Sequence, residues 1–158
     1  YKFFDLSSGL HAAGDGCVLS SVVDIAHSIR ALAEGDAPDI LVLADVMRLF
    51  KGLPAAEAQM LKDWISQERY AGVTSLVVAT ELWRVKSVYD EWFKVVSAYG
   101  SGVWIGSGMG DQTLLRTVRA EAQYRAVRKP SEGFVVVNGS AELVRLLEPE
   151  HWDGDEGR

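Results

Sequence analysis

The stretch Asp39-Ile40-Leu41-Val42-Leu43-Ala44-Asp45-Val46 decides the reading of this chain. Its consecutive aliphatic residues, two of them β-branched, predict a buried strand of the kind found inside parallel sheets. Pro38 punctuates the chain just before the run, and an acid, Asp45, closes it. In an open α/β sheet ligands collect at the carboxyl ends of the strands, which makes Asp45 the first candidate site residue. The alternative is structural: an aspartate there also caps the helical turn expected from Val46 to Phe50.

Helix and strand signals alternate outward from this run. On the amino-terminal side, Tyr1-Lys2-Phe3-Phe4-Asp5 reads as a strand, with turn chemistry after it in Ser7-Ser8-Gly9. Ser20 or Ser21 is placed to cap a helix, and Ser21 with Asp24 makes a weak capping box. Val22, Ile25, Ala26, Ile29 and Leu32 then recur at helical spacing, and Gly35 closes the segment. On the carboxyl-terminal side, Pro54 suits the first turn of a helix running to Tyr70 and ending at Gly72, with Met60, Leu61, Trp64 and Ile65 as its apolar residues. Val73 to Thr80 is a second near-continuous apolar run, expected to be a central parallel strand covered on both faces. Thr80 ends it as the second candidate site residue, able to sense a phosphate or simply to cap the Glu81 to Arg84 turn.

Tyr89 to Tyr99 has helical periodicity in Trp92, Phe93, Val96 and Tyr99, and Gly102 to Ile105 reads as a further strand. Gly106-Ser107-Gly108-Met109-Gly110-Asp111 has the look of a phosphate loop entering a helix. Asp111 is expected at the N-cap, where its carboxylate satisfies the free amides and repels phosphate, and the loop holds no lysine or arginine. A tight strand-to-helix connection is the better reading. Asn138-Gly139 between Phe134 to Val137 and Glu142 to Leu147 is a hairpin signal. The expected architecture is a three-layer α/β sandwich with a mainly parallel sheet, ending in an antiparallel hairpin. Residues 1–149 form its domain, and 150–158 a polar, acidic tail that frays.

The 158 residues suit one domain or a large part of one, and the net charge of −6 at pH 7 argues against general attraction to nucleic acid or anionic lipid. Basic residues gather between Arg116 and Lys129, interrupted by Glu121, as a solvated face or partner contact. The lone Cys17 forms no internal disulfide, fits a reducing compartment and is expected as a small buried hydrophobe. His11, His27 and His151 are too scattered for a metal motif, with His27 expected to face solvent. Trp83, Trp92 and Trp104 are expected in the core or an interface, and exposure of Trp83 or Trp92 is the mark of a partner patch. The apolar runs are too short to span a membrane, and no signal peptide is visible. Without an initiating Met, the chain is expected to be an excised piece of a longer polypeptide.

A strand that delivers an aspartate at its carboxyl end is how a P-loop ATPase presents the acid that manages Mg²⁺. The working version carries a second acid next, where this chain has Val46. No Gly-Lys dipeptide occurs, so the loop that cradles phosphates is missing. These features read as the skeleton of a nucleotide hydrolase without most of its machinery.

The stretch Gly102-Val103-Trp104-Ile105-Gly106-Ser107-Gly108-Met109-Gly110-Asp111-Gln112-Thr113-Leu114-Leu115 resembles the end of a tandem FtsK/SpoIIIE-type ATPase domain. The likeness is greatest to the last, degenerate domain of the type VII secretion ATPases of the EssC/EccC family. Glu132 to Gly139 is similar to that family's final strands, and Tyr1 to Gly9 to the strand after its P-loop helix. The resemblance implies a P-loop NTPase (RecA-like) fold whose first strand and P-loop are absent from this chain. It places Asp45 on the Walker B strand and Thr80 on the sensor strand, as a vestigial site for ATP and Mg²⁺ with no catalytic residue and no metal ligand assigned.

It further implies a module of a membrane-anchored, ring-forming translocation motor at the cytoplasmic face of the bacterial cell membrane. Its partners are other ATPase domains of the same polypeptide and neighbouring subunits, with a secreted protein as possible substrate, no nucleic acid, and the membrane only through other domains. Its role is then assembly, regulation or substrate engagement, with weak or no hydrolysis. Two rivals stay open. One is an active ATPase completed by residues outside this chain; the other is an α/β interaction module unrelated to nucleotides, with an exposed aromatic patch and no cleft at the strand ends.

Overall fold

The computed structural model describes residues 1–6, 17–117, 124, 126, 128–129 and 131–145. It divides into two compact units, Tyr1–Ala98 and Tyr99–Arg158. His11, His151, Arg119 and Arg125 of the basic cluster, and the expected tail 150–158 lie outside the described residues.

The first unit is built on four parallel strands: β1 (Lys2–Phe4), β2 (Cys17–Leu19), β3 (Ile40–Leu43) and β4 (Ser75–Val78). Their order is β2-β1-β3-β4, with Phe4 opposite Leu43 and Leu43 opposite Val78. Helix α1 (Val22–Glu34) starts where the Ser21 hydroxyl accepts the Val23 N–H at 3.2 Å. It stops where Gly35 takes φ 100°, a left-handed conformation that glycine adopts without strain. Helices α2 (Val46–Gly52) and α3 (Ala55–Ser66) connect β3 to β4, and α4 (Leu82–Val85) and α5 (Glu91–Ala98) follow.

The crossovers β2–α1–β3 and β3–α2–α3–β4 step across the sheet in the same direction. Right-handed connections then put both sets of helices on the same face. The core bears this out: Phe4, Leu41 and Leu43 join Ile25, Ile29 and Leu32 of α1 and Leu61, Trp64 and Ile65 of α3 in one cluster. The other face takes no part in it, and Ile40 and Val77 are 43% and 48% exposed there. Among the described residues this unit therefore has two layers rather than the three expected. β4 is an outer strand with alternating exposure, not a central strand covered on both sides. Cys17 is likewise exposed rather than buried, because β2 forms the opposite margin of the sheet. His27 is exposed on α1 as expected.

The second unit holds an antiparallel sheet of β5 (Gly102–Ile105), β6 (Glu132–Val137) and β7 (Ser140–Arg145), in that order. Gly102–Ile105 therefore pairs with the hairpin and not with the parallel strands. Asn138 and Gly139 both have positive φ, 51° and 82°, as the tight turn of a two-residue hairpin requires. Met109, Tyr124, Phe134 and Val136 form a separate small core, with Trp104, Leu115 and Ala141 packed against it.

Candidate functional site

Backbone hydrogen bonds carry the parallel ladder past the strand ends. Asp5 N–H donates to the Leu19 carbonyl at 3.0 Å, Ala44 N–H to Phe4 at 3.0 Å, and Ala79 N–H to Leu43 at 2.9 Å. Asp5, Asp45 and Thr80 therefore leave the sheet at one carboxyl edge. The strand order reverses direction around β1, which puts the topological switch point at the ends of β1 and β3. Asp5 and Asp45 follow those two ends. Sequence reasoning passed over Asp5, which is 1% exposed, although the signal was the one that exposed Asp45: an acid closing an apolar strand.

Asp45 is held in the left-handed region at φ 41°, ψ 61°, which few residues other than glycine, asparagine and aspartate visit. It occupies the N-cap of α2 without a side-chain capping bond. Its carbonyl accepts from Arg48 and Leu49 at 2.8 and 3.0 Å, leaving the carboxylate free for other work. Oδ2 lies 3.5 Å from Arg84 Nη1, whereas Oδ1 is buried with no hydrogen-bond partner. Val46, the residue in the second-acid position, is fully buried in the core, and its N–H donates to the Ala79 carbonyl at 3.1 Å. That bond ties the Asp45 turn to the start of the segment leading into α4.

Arg84 is the residue that sequence alone did not bring to the site. Its Nε donates to Glu81 Oε2 at 2.8 Å, and its guanidinium stacks 4.8 Å from the Trp83 ring centre. The hydrogen bond from Arg84 is the main reason that the Glu81 carboxyl sits below the usual glutamate range. Reciprocally, Glu81 and then the charge of Asp45 hold Arg84 more firmly protonated. Thr80 is half-buried and its hydroxyl makes only a 3.5 Å contact to the Glu81 carbonyl. The structure thus joins Asp45 to Arg84 and Glu81, and leaves Thr80 at the neighbouring strand end.

The other motifs divide. Trp92 is buried, whereas Trp83 is 67% exposed. The glycine-rich loop enters only a single 3-10 turn, Met109–Asp111, with Gly108 rather than Asp111 at its N-cap. The Ser107 hydroxyl accepts the Arg128 N–H at 2.9 Å, and the Ser107 carbonyl accepts the Trp104 indole N–H at 3.1 Å. A turn this short offers no aligned helix dipole for an anion. A cavity of about 330 Å³ lies at the opposite, amino-terminal ends of β3 and β4, lined by Leu32, Trp64, Arg69 and Val73 among others. Among the described residues there is no group of three or more His, Cys, Asp or Glu that could hold a metal ion. None of their helices is long and apolar enough to cross a membrane.

These features define a mixed α/β protein with a small parallel sheet, an acid-bearing carboxyl edge and a three-stranded antiparallel sheet. No family model matches the chain, and no curated protein does. Among solved structures, the chain is similar to the cytoplasmic domain of EssC, with 13% identity and a TM-score of 0.61 over 92% of this chain. It spans 32% of that EssC chain, and the likeness is one of fold.

Proposed function

We propose that this chain is a degenerate ATPase module of an FtsK/SpoIIIE-family translocation motor serving type VII protein secretion. It acts in assembly, regulation or substrate engagement, with weak or no hydrolysis, at the cytoplasmic face of the membrane. Its partners are other ATPase domains of the same polypeptide, neighbouring subunits and a secreted protein. The observation that carries this reading is the fold likeness to the cytoplasmic domain of EssC across 92% of the chain.

Three features support the finer points. Asp45 and Thr80 end adjacent parallel strands at the edge where such sheets bind ligands. The outer side of β4 and the apolar face around Ile40 and Val77 suit a further strand and helix, the place of the missing P-loop unit. The residues present do not by themselves fit Mg·ATP. Asp45 already faces a guanidinium, Val46 is buried, and a single free aspartate organises Mg²⁺ only when phosphates share the coordination.

The test is ATP turnover and Mg·ATP binding by the full-length polypeptide, wild type against Asp45→Ala. The degenerate reading expects turnover to stay within about twofold. A fall of tenfold or more, which corresponds to about 1.4 kcal/mol in the barrier, identifies an active motor site instead.

A further inference from the structure

The cavity at the amino-terminal ends of β3 and β4 lies at the opposite end of the sheet from Asp45, and the ATPase-like reading makes no use of it. Its volume of about 330 Å³ falls at the lower end of the range for small-molecule sites. Leu32 and Trp64, 2% and 4% exposed, give it an apolar base, and Ala37 and Val73 add to the lining. Its two charged lining residues are Glu34 and Arg69. Neither makes an ion pair or a side-chain hydrogen bond among the described residues, and they do not pair with each other. The Trp64 indole N–H likewise has no acceptor among them, the ring's own contact being Tyr70 at 5.8 Å.

Helix α1 ends on this cavity. The N–H groups of Gly35 and Asp36 take the Leu32 and Ala31 carbonyls at 3.1 and 2.9 Å, and the last turn carries no basic residue. Its negative dipole end and the Glu34 carboxylate therefore stand together on one side, where a cation is favoured. On the other side a guanidinium and an indole N–H stand ready for a carboxylate. We propose that this cavity binds a small zwitterion with an apolar side chain, a free α-amino acid of the leucine kind. The α-carboxylate goes to Arg69 and the Trp64 N–H, the α-ammonium to Glu34 and the end of α1, and the side chain to Leu32, Ala37 and Val73. The two charges also set the specificity: an acid without the ammonium meets Glu34, and an amine without the carboxylate meets Arg69.

The test is titration of the chain with L-leucine, followed by the amide signals of residues 32–37, 64, 69 and 73. Saturable shifts confined to these residues are expected, with half-saturation at about 1 mM for so small a ligand. Arg69→Gln and Glu34→Gln should each weaken binding by about tenfold or more. Both positions are exposed, so thermal melts without leucine should match wild type and separate lost binding from lost fold. 4-Methylpentanoate, which lacks the ammonium, and 3-methylbutylamine, which lacks the carboxylate, should bind at least about tenfold more weakly than leucine. No saturable shift by about 20 mM leucine overturns the proposal. So does an acid or amine that binds as tightly as leucine, or binding that survives Arg69→Gln unchanged. Asp45→Ala leaves leucine binding intact, so failure here and failure of the ATPase-like reading are told apart.

Discussion

Gly133 sits in the middle strand of the antiparallel sheet, opposite Ile105 on β5 and Val144 on β7. A Cβ added there would lie 2.2 Å from the Trp104 carbonyl oxygen and 3.2 Å from the Ile105 Cα. Both neighbours are backbone, so no side-chain rotation relieves the overlap, and β5 must retreat by about 1 Å to restore an ordinary contact. That retreat stretches ladder bonds such as Gly106 N–H to the Glu132 carbonyl, now 2.8 Å. Overpacking of this kind costs roughly 1–3 kcal/mol, and each weakened hydrogen bond roughly 0.5–1.5 kcal/mol.

Against this stands the entropic gain of removing a glycine from the unfolded chain, about 0.4–1 kcal/mol. The net expectation for Gly133→Ala is a loss of roughly 2–3 kcal/mol, or about a 30- to 140-fold shift toward unfolding. Urea denaturation, followed by the amide signals of β5 and β6, measures it directly. The sign is the discriminating quantity. A midpoint unchanged or raised by Gly133→Ala refutes the close approach of β5 to β6, because alanine at an uncrowded glycine stabilises.

Three further outcomes follow from the first unit. Glu57 of α3 accepts from Arg30 of α1, and that bond holds its carboxyl below the usual range. A depressed carboxyl contributes stability above its unfolded value of about 4.3 and loses it as pH falls through the folded value. Glu57→Gln should therefore lower the melting temperature at neutral pH and converge with wild type in acid. Trp92, 1% exposed and edge-on to Phe50 at 4.9 Å, should lose about 3–5 kcal/mol on truncation to alanine. Trp83→Ala, at an exposed position, should stay within about 0.5 kcal/mol in the same thermal melts.

Local signals in the sequence were read well wherever the physics is local. The Ser21 cap, the Gly35 stop and the Asn138-Gly139 turn each depend on one or two residues and a fixed backbone geometry, and each is where its chemistry put it. The aliphatic run before Asp45 became a strand for the same reason. Layering was not legible, because it depends on the direction of successive crossovers, which no single segment encodes. Val73 to Thr80 carries the composition of a covered strand, yet it lies at a margin because β3 is its sole partner among the described strands. β2, the three residues Cys17–Leu19, went unseen. At the site, Asp45 and Thr80 were marked by their positions at strand ends. Arg84 could not be, since its meaning comes from a contact between separate elements. Asp5 could have been found by applying the Asp45 argument a second time.

The left-handed backbone at Asp45 has an evolutionary consequence. Position 45 favours aspartate, asparagine and glycine by conformation, whatever chemistry surrounds it. A lineage that abandoned metal chemistry at this edge would still tend to keep an acid or its amide there, so the acid itself is a poor witness to activity. Position 84 is under no such backbone demand: Arg84 lies in an ordinary helical turn, where many side chains are tolerated.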